Sequence, residues 1–120
     1  MIRGIGIDVV EVDRIERLYR KYGDKFLKKV YTEEEISYCM NKANRFECLA
    51  GRFSAKEAVV KATGGRVGIY KEIEIINGEY GPIVKIRGEF FCNMLVSITH
   101  IKGLAMAMAI WEDCDETRNT

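Results

Sequence analysis

The chain has 120 residues, 48% of them apolar, with 19 Lys and Arg against 18 Asp and Glu for a net charge of +1, which fits one globular domain with a core of modest size. The near-neutral balance gives no overall case for a nucleic-acid partner, and no run of about 18 apolar residues is present to span a membrane. The opening Met1-Ile2-Arg3-Gly4 lacks the basic stretch and apolar stretch of a secretory leader, so the expected location is the cytoplasm.

Taken in chain order, Gly4-Ile5-Gly6-Ile7-Asp8-Val9-Val10 alternates, with Ile5, Ile7 and Val9 on one face and Asp8 on the other, and predicts a strand. Gly4 and Gly6 leave room on the Asp8 face for a ligand or another backbone. A carboxylate there needs a cation or several donors, unless it merely caps the next segment. Asp13-Arg14-Ile15-Glu16 resembles a capping box, with Ile15, Leu18, Tyr19 and Tyr22 following at helical spacing and Gly23 as a stop.

From Asp13 to Lys29, seven basic residues (Arg14, Arg17, Arg20, Lys21, Lys25, Lys28, Lys29) outnumber Asp13, Glu16 and Asp24. This suits an acidic partner or a phosphate-rich ligand, and equally a solvated helix face. A second capping box, Thr32-Glu33-Glu34-Glu35, opens a helix with Ile36, Cys39 and Met40 inward. A third and longer helix is expected from Phe46 to Thr63, ended by Gly64-Gly65.

Glu57 and Lys61 share one face of that long helix. A carboxylate beside an ammonium suits a site for Mg²⁺ and a phosphate, and with Asp8 it supplies two carboxylates for an octahedral shell completed by phosphate oxygens and water. Read alone, the pair is also an ordinary surface ion pair. Arg45, Arg52 and Lys56 add positive charge along the helix. The glycine-rich Gly64-Gly65-Arg66-Val67-Gly68 can approach phosphates through backbone N–H groups or simply cap the helix, and no Walker-type loop is present.

The second half reads as β structure. Glu72–Ile76 and Ile83–Arg87 predict a hairpin around residues 77–82, Glu89–Leu95 a short helical turn, and Val96–Thr99 with Leu104–Trp111 a second strand pair. In the last strand Ala105, Ala107 and Ala109 alternate with Leu104, Met106, Met108 and Ile110, so a helix is expected close on the small face. His100, the only histidine, stands where a strand meets a turn. It can bind phosphate as a cation or orient a substrate, or be a plain turn residue. Cys39, Cys48, Cys92 and Cys114 form no C-x-x-C pair, and their spacing suggests neither a zinc site nor a disulfide framework, so reduced thiols are expected. Glu112, Asp113, Asp115 and Glu116 make the end acidic. Residues 1–120 are expected to form one α+β domain, with 113–120 as a flexible acidic tail.

Three segments carry a resemblance to a known family. Gly4-Ile5-Gly6-Ile7-Asp8-Val9-Val10-Glu11-Val12-Asp13-Arg14-Ile15 is similar to the opening motif of the bacterial holo-(acyl-carrier-protein) synthases. The stretch from Leu49 to Gly64, with Phe53, Lys56-Glu57 and Lys61-Ala62, resembles their central motif. Ser97-Ile98-Thr99-His100 and the Ala-rich strand to Glu112 resemble their closing one. The resemblance implies the fold of the small 4'-phosphopantetheinyl transferases, a small antiparallel sheet packed against a long helix, assembled as a homotrimer with active sites at subunit interfaces. It implies a cytoplasmic enzyme of fatty acid biosynthesis that transfers the 4'-phosphopantetheine group of coenzyme A to a serine of an apo-acyl carrier protein, releasing 3',5'-ADP, with Mg²⁺ as cofactor.

Residue by residue, it places Asp8 and Glu57 on Mg²⁺, Lys61 at the phosphates, and His100 on coenzyme A. Arg45, Arg52 and Gly64 fall in the nucleotide-binding region, and Arg14 faces the acidic recognition helix of the carrier. Asp8, Glu57 and Lys61 are thus the expected catalytic group, with Lys61 neutralising charge that builds on the phosphate oxygens. A water on the metal and Glu35 are the two candidates for the base that takes the serine proton. The loop Asn41–Arg45 is short for the family, and Phe90, Phe91 and Cys92 are apolar enough to suggest an interface or a core role. An Asp, a Glu and a Lys around Mg²⁺ also describe a metal-dependent nuclease or phosphoesterase. The chain has no aromatic–basic stripe for a polynucleotide. A non-catalytic nucleotide-binding module is the other alternative.

Overall fold

A computed structural model describes residues 1–113. The elements are β1 (Ile2–Glu11), α1 (Val12–Tyr22), α2 (Asp24–Val30), α3 (Glu33–Met40), α4 (Arg45–Ala62), a 3₁₀ turn (Tyr70–Glu72), β2 (Ile73–Gly78), β3 (Gly81–Ile86), β4 (Glu89–Phe90), β5 (Met94–Ile101) and β6 (Leu104–Glu112). The expected α+β class holds, and the strands form two small antiparallel sheets, ordered β1-β6-β5 and β2-β3-β4.

Helix α4 lies against the first sheet because that face is built from small residues. Gly6 pairs with Ala109, Asp8 with Ala107 and Val10 with Ala105. A Cβ placed on Gly4 would lie 1.8 Å from the Ala62 carbonyl oxygen, and one on Gly6 would lie 1.9 Å from that of Ala58. The room that the two glycines leave is therefore taken by a helix backbone. The opposite face carries Ile5, Ile7, Val9, Met106 and Met108, all exposed. One core joins α1–α3 to the first half of α4 around Ile15, Leu27, Tyr31 and Leu49. A second joins the later turns of α4 to both sheets around Val59, Ile73, Ile75, Val84 and Ala109.

The elements around α4 converge on one buried charge. Lys56 has no exposed surface, and its Nζ donates to the carbonyls of Val30 (2.9 Å), Tyr70 (2.9 Å) and Ile73 (2.6 Å). It also pairs with Glu35 at 2.6 Å. The Glu35 carboxylate accepts the backbone N–H groups of Thr32 (2.9 Å) and Ile75 (2.8 Å). Burial lowers the Lys56 pKa, against the charge of Glu35.

Glu35, a candidate for the base, is 1% exposed, and its carboxylate is taken up by Lys56 and two backbone N–H groups, which gives it a structural task. Several expectations need correction. The capping box at Thr32 forms, but the one at Asp13 does not: α1 begins at Val12 behind Glu11, which makes no side-chain cap. Helix α2 was not anticipated. Its apolar residues Phe26, Leu27 and Val30 sit among four charged ones, a pattern too short to stand out. Residues 89–95 contain the two-residue strand β4 in place of a helical turn, with Phe90 exposed and Phe91 packed on the second core.

The expectation of reduced thiols fails at one pair, since a disulfide joins Cys39 to Cys48 with their Cα atoms 5.4 Å apart. Cys39 lies in the last turn of α3 and Cys48 in the first turn of α4, so a tight reversal between helices brings them together where sequence spacing alone did not. Cys92 is free and exposed. Asp113 pairs with Arg3 at 3.2 Å, so it belongs to the folded part, and residues 114–120 of the expected tail lie outside the described residues.

Gly6→Ala is expected to lower the melting temperature by roughly 5–15 °C, from an overpacking cost of about 1–3 kcal/mol. Gly68→Ala, where the nearest atom is at 3.6 Å, should melt near the wild type. Thermal melts of the three proteins check this, and equal values for Gly6→Ala and wild type would mean that α4 can retreat from β1 at little cost.

Candidate active site

Asp8 stands on the helix-facing side of β1, two residues beyond Gly6, where Ser54 of α4 donates to its backbone oxygen at 2.9 Å. Two turns along α4, Lys61 reaches across to the strand. Its Nζ is 3.0 Å from the Ile7 carbonyl oxygen and 3.4 Å from Asp8 Oδ1. The Asp8 side chain is only 14% exposed while that of Lys61 is 53% exposed, so the carboxylate sits under an ammonium that opens to solvent.

Burial raises the Asp8 pKa above the usual carboxylate value. The hydrogen bond and charge of Lys61 oppose this, and the charge of Glu57 adds to it. Asp8 and Glu57 therefore feel each other as like charges. Glu57 Oε1 accepts a short hydrogen bond from the Tyr70 hydroxyl. That bond, then burial, pushes the Tyr70 pKa up to about 12, so the phenol keeps its proton near neutral pH.

The donor set fits Mg²⁺. Asp8 and Glu57 offer hard oxygens from a strand and a helix, and their mutual repulsion is relieved by a divalent cation. Among the described residues no group of three or more His, Cys, Asp and Glu makes a fuller cage. Two carboxylates leave most of the coordination shell to water and substrate oxygens, which is how Mg²⁺ is held in sites that handle phosphates.

The remaining expected residues divide. His100, on β5, lies with its Nδ1 3.4 Å from Glu47 Oε2. It lines a cleft of about 170 Å³ with Tyr38, Lys42, Asn44, Glu47 and Arg52. Arg52 is 8% exposed, donates to Asn77 Oδ1 at 3.1 Å and lies over the Tyr38 ring at 4.9 Å. Its Nε is buried without a hydrogen-bond partner. Burial lowers its pKa. A guanidinium held this way attracts an anion, because its unmet donor is costly in the absence of one.

Arg45 is exposed over the Phe46 ring and is not among the walls of this cleft. Gly64, at φ +63°, ends α4 beside Gly65, whose N–H bonds the Val60 carbonyl at 2.9 Å, so its visible task is to stop the helix. Arg14 is exposed, 5.9 Å from the centre of the Phe53 ring, which in turn lies 5.7 Å from that of Tyr70. This puts the arginine on the Glu57 side of the molecule.

Asp8 and His100 occupy opposite edges of one sheet. They pair with Ala107 and Ala105 of the central strand β6, and α4 lies across the face between them. Within one chain the metal-type carboxylates and the cationic cleft are thus two separate half-sites. Sequence reasoning missed Tyr70 and Tyr38. Neither belongs to a motif, and their roles come from the 3₁₀ turn and from α3 packing beside α4.

A profile of the 4'-phosphopantetheinyl transferase superfamily matches residues 4–109. A holo-[acyl-carrier-protein] synthase of Halothermothrix orenii is 44% identical over 124 aligned positions, covering 94% of this chain and 99% of that one. The enzyme of that name from Thermodesulfovibrio yellowstonii is 48% identical, covering 92% and 98%. The crystal structure of a holo-(acyl-carrier-protein) synthase from Bacillus anthracis, in complex with CoA (3',5'-ADP), superposes with a TM-score of 0.79 at 37% identity, covering 95% of this chain and 99% of that one. The chain belongs to the 4'-phosphopantetheinyl transferase superfamily, among the holo-[acyl-carrier-protein] synthases.

The raised Asp8 pKa carries a sign. Folding favours the protonated carboxyl, so its charge costs stability at neutral pH, and that cost is relieved as pH falls through the raised value. Asp8→Asn is expected to raise the melting temperature slightly at pH 7 in EDTA, with the gap to wild type closing in acid, while Mg²⁺-dependent turnover is lost. Melts across pH check it. A lower melting temperature for the variant would mean that the Lys61 contact outweighs the desolvation of Asp8.

Proposed function

We propose that this chain transfers the 4'-phosphopantetheine group of coenzyme A to a serine of an apo-acyl carrier protein and releases 3',5'-ADP, with Asp8 and Glu57 as the residues that would hold Mg²⁺. The observation that carries this reading is the pairing of two repelling carboxylates with the exposed ammonium of Lys61 at one point on the surface. When bound there, Mg²⁺ supplies Lewis-acid neutralisation of a pyrophosphate. Lys61 is placed to neutralise the same phosphate oxygens as charge builds on the leaving group. Its contact with Asp8, at 3.4 Å, is loose enough to be exchanged for a phosphate contact.

The nucleotide end of coenzyme A suits the second half-site. Arg52, Lys42 and His100 supply positive or protonatable donors around one cleft, and Tyr38 supplies a ring face. Because the two half-sites sit at opposite sheet edges, an assembly that sets the β5 edge of one copy beside the β1 edge of the next would unite them. The exposed Ile5, Ile7, Val9, Met106 and Met108 offer the apolar surface for such contact. This supports a homotrimer with sites between subunits. Arg14, with Arg17, Arg20 and Lys21 exposed along α1, meets an acidic carrier helix next to the Glu57 side of the site. A reaction between coenzyme A and an acyl carrier protein suits a cytoplasmic enzyme, in whose reducing surroundings the Cys39–Cys48 disulfide would be open to reduction. Among the described residues no helix is long and apolar enough to cross a membrane.

Two measurements test the reading. Intact mass of an apo-acyl carrier protein, after incubation with this protein, coenzyme A and Mg²⁺, should rise by one phosphopantetheine unit and stay unchanged in EDTA. No gain with several apo-carriers would overturn the transferase reading. Arg14→Glu should raise KM for the carrier on the order of tenfold by reversing a steering charge, with KM for coenzyme A held. Equal changes in both constants would remove Arg14 from the carrier surface.

A further inference from the structure

Tyr70 has no place in the motifs, yet it is fixed at both ends beside the metal-type site. Its carbonyl oxygen accepts from Lys56 Nζ at 2.9 Å, which ties the 3₁₀ turn to the fully buried Lys56–Glu35 pair. Its ring lies against Phe53, with centroids 5.7 Å apart and planes 36° to each other. Phe53 stands four residues before Glu57 on α4, so both share one stripe of the helix. From that seat the hydroxyl donates to Glu57 Oε1.

A glutamate on a partly exposed helix face has three side-chain torsions to restrict, and a flexible ligand binds a small, strictly octahedral cation poorly. A phenol stays neutral near pH 7 and has one proton to give, so it can occupy one carboxylate oxygen without bringing a competing charge. Oε2 is then left for the cation.

Resting on the metal reading proposed above, we infer that Tyr70 is a positioning residue for Glu57: its hydroxyl holds Oε1 so that the other carboxylate oxygen is presented to Mg²⁺. Hydrogen-bonding partners of metal ligands commonly matter this way, and losing one costs about 10–100-fold in metal affinity. The inference also explains why the turn after α4 is anchored by a buried lysine. A 3₁₀ turn free to drift would carry the hydroxyl away from Glu57.

Tyr70→Phe tests it, because the ring stays on Phe53 and only the hydroxyl is lost. Mg²⁺ is titrated calorimetrically into protein saturated with coenzyme A, with no carrier present, so the readout does not depend on turnover. The variant should bind Mg²⁺ roughly tenfold more weakly. In turnover assays its Mg²⁺ activation constant should rise by about the same factor, with kcat and KM for coenzyme A near wild type once Mg²⁺ is saturating. Its melting temperature should match the wild type. Unchanged Mg²⁺ affinity in the variant overturns the inference, as does a fall in kcat that saturating Mg²⁺ does not repair. If the wild-type protein takes up no Mg²⁺ with coenzyme A bound, the metal reading itself fails and this inference falls with it.

Discussion

Lys56 is a cation with no access to water, and the structure around it is arranged to satisfy that one group. Three carbonyls and one carboxylate surround its Nζ, contributed by the end of α2, the 3₁₀ turn, the start of β2, and α3. Such a pair adds little net stability over a well-packed apolar substitute, because two charges must leave water. Removing either partner alone is severe, on the order of 3–5 kcal/mol, since an uncompensated charge would remain inside. Its value is positional. Each of the four segments must sit where its oxygen meets the ammonium, and Glu35 extends the constraint to β2 through the Ile75 N–H.

The functional consequence follows from helix geometry. Glu57 is the next residue after Lys56, about 100° further round α4, and Lys61 one turn beyond shares its face. Fixing Lys56 inside therefore fixes Glu57 and Lys61 at the rim. The glycines of β1 complete the placement: without Cβ atoms at residues 4 and 6, α4 comes close enough for Lys61 to reach the Ile7 carbonyl and Asp8. Packing density and the chemistry of the site are one constraint here, because the closeness that buries Asp8 also sets its pKa.

The sheet decides what a single chain can do. Its small face is spent on α4, and its large apolar face is left open, with the two half-sites at its two edges. A domain of this size has little surface to spare for exposed Ile, Val and Met side chains unless they meet something. The same alternation that seats the helix therefore points the molecule toward association.

Much of this was legible from the chain. Alternation in residues 4–10 and 104–111 gave the strands, and the two faces of the last strand announced a helix on its alanines. Asp8, Glu57 and Lys61 stood out as oxygen donors and an ammonium at fixed spacings, and the motif order gave the family. Local patterns of period two or 3.6 act between near neighbours, so sequence determines them directly. What lay beyond it was anything set by segments that meet only after folding. Glu35 reads as a cap, and only the fold shows its carboxylate buried against Lys56. Cys39 and Cys48 looked unrelated until two helices reversed on each other. Tyr70 carried no signal at all, because its partner Glu57 is reached through a turn whose course is fixed by Lys56. The sequence by itself determined the longer elements, the family and the acidic and basic groups of the site. The tertiary structure alone decided which of those groups are buried, which are paired, and that they stand at two separate edges, because burial and pairing depend on distances that no local pattern encodes.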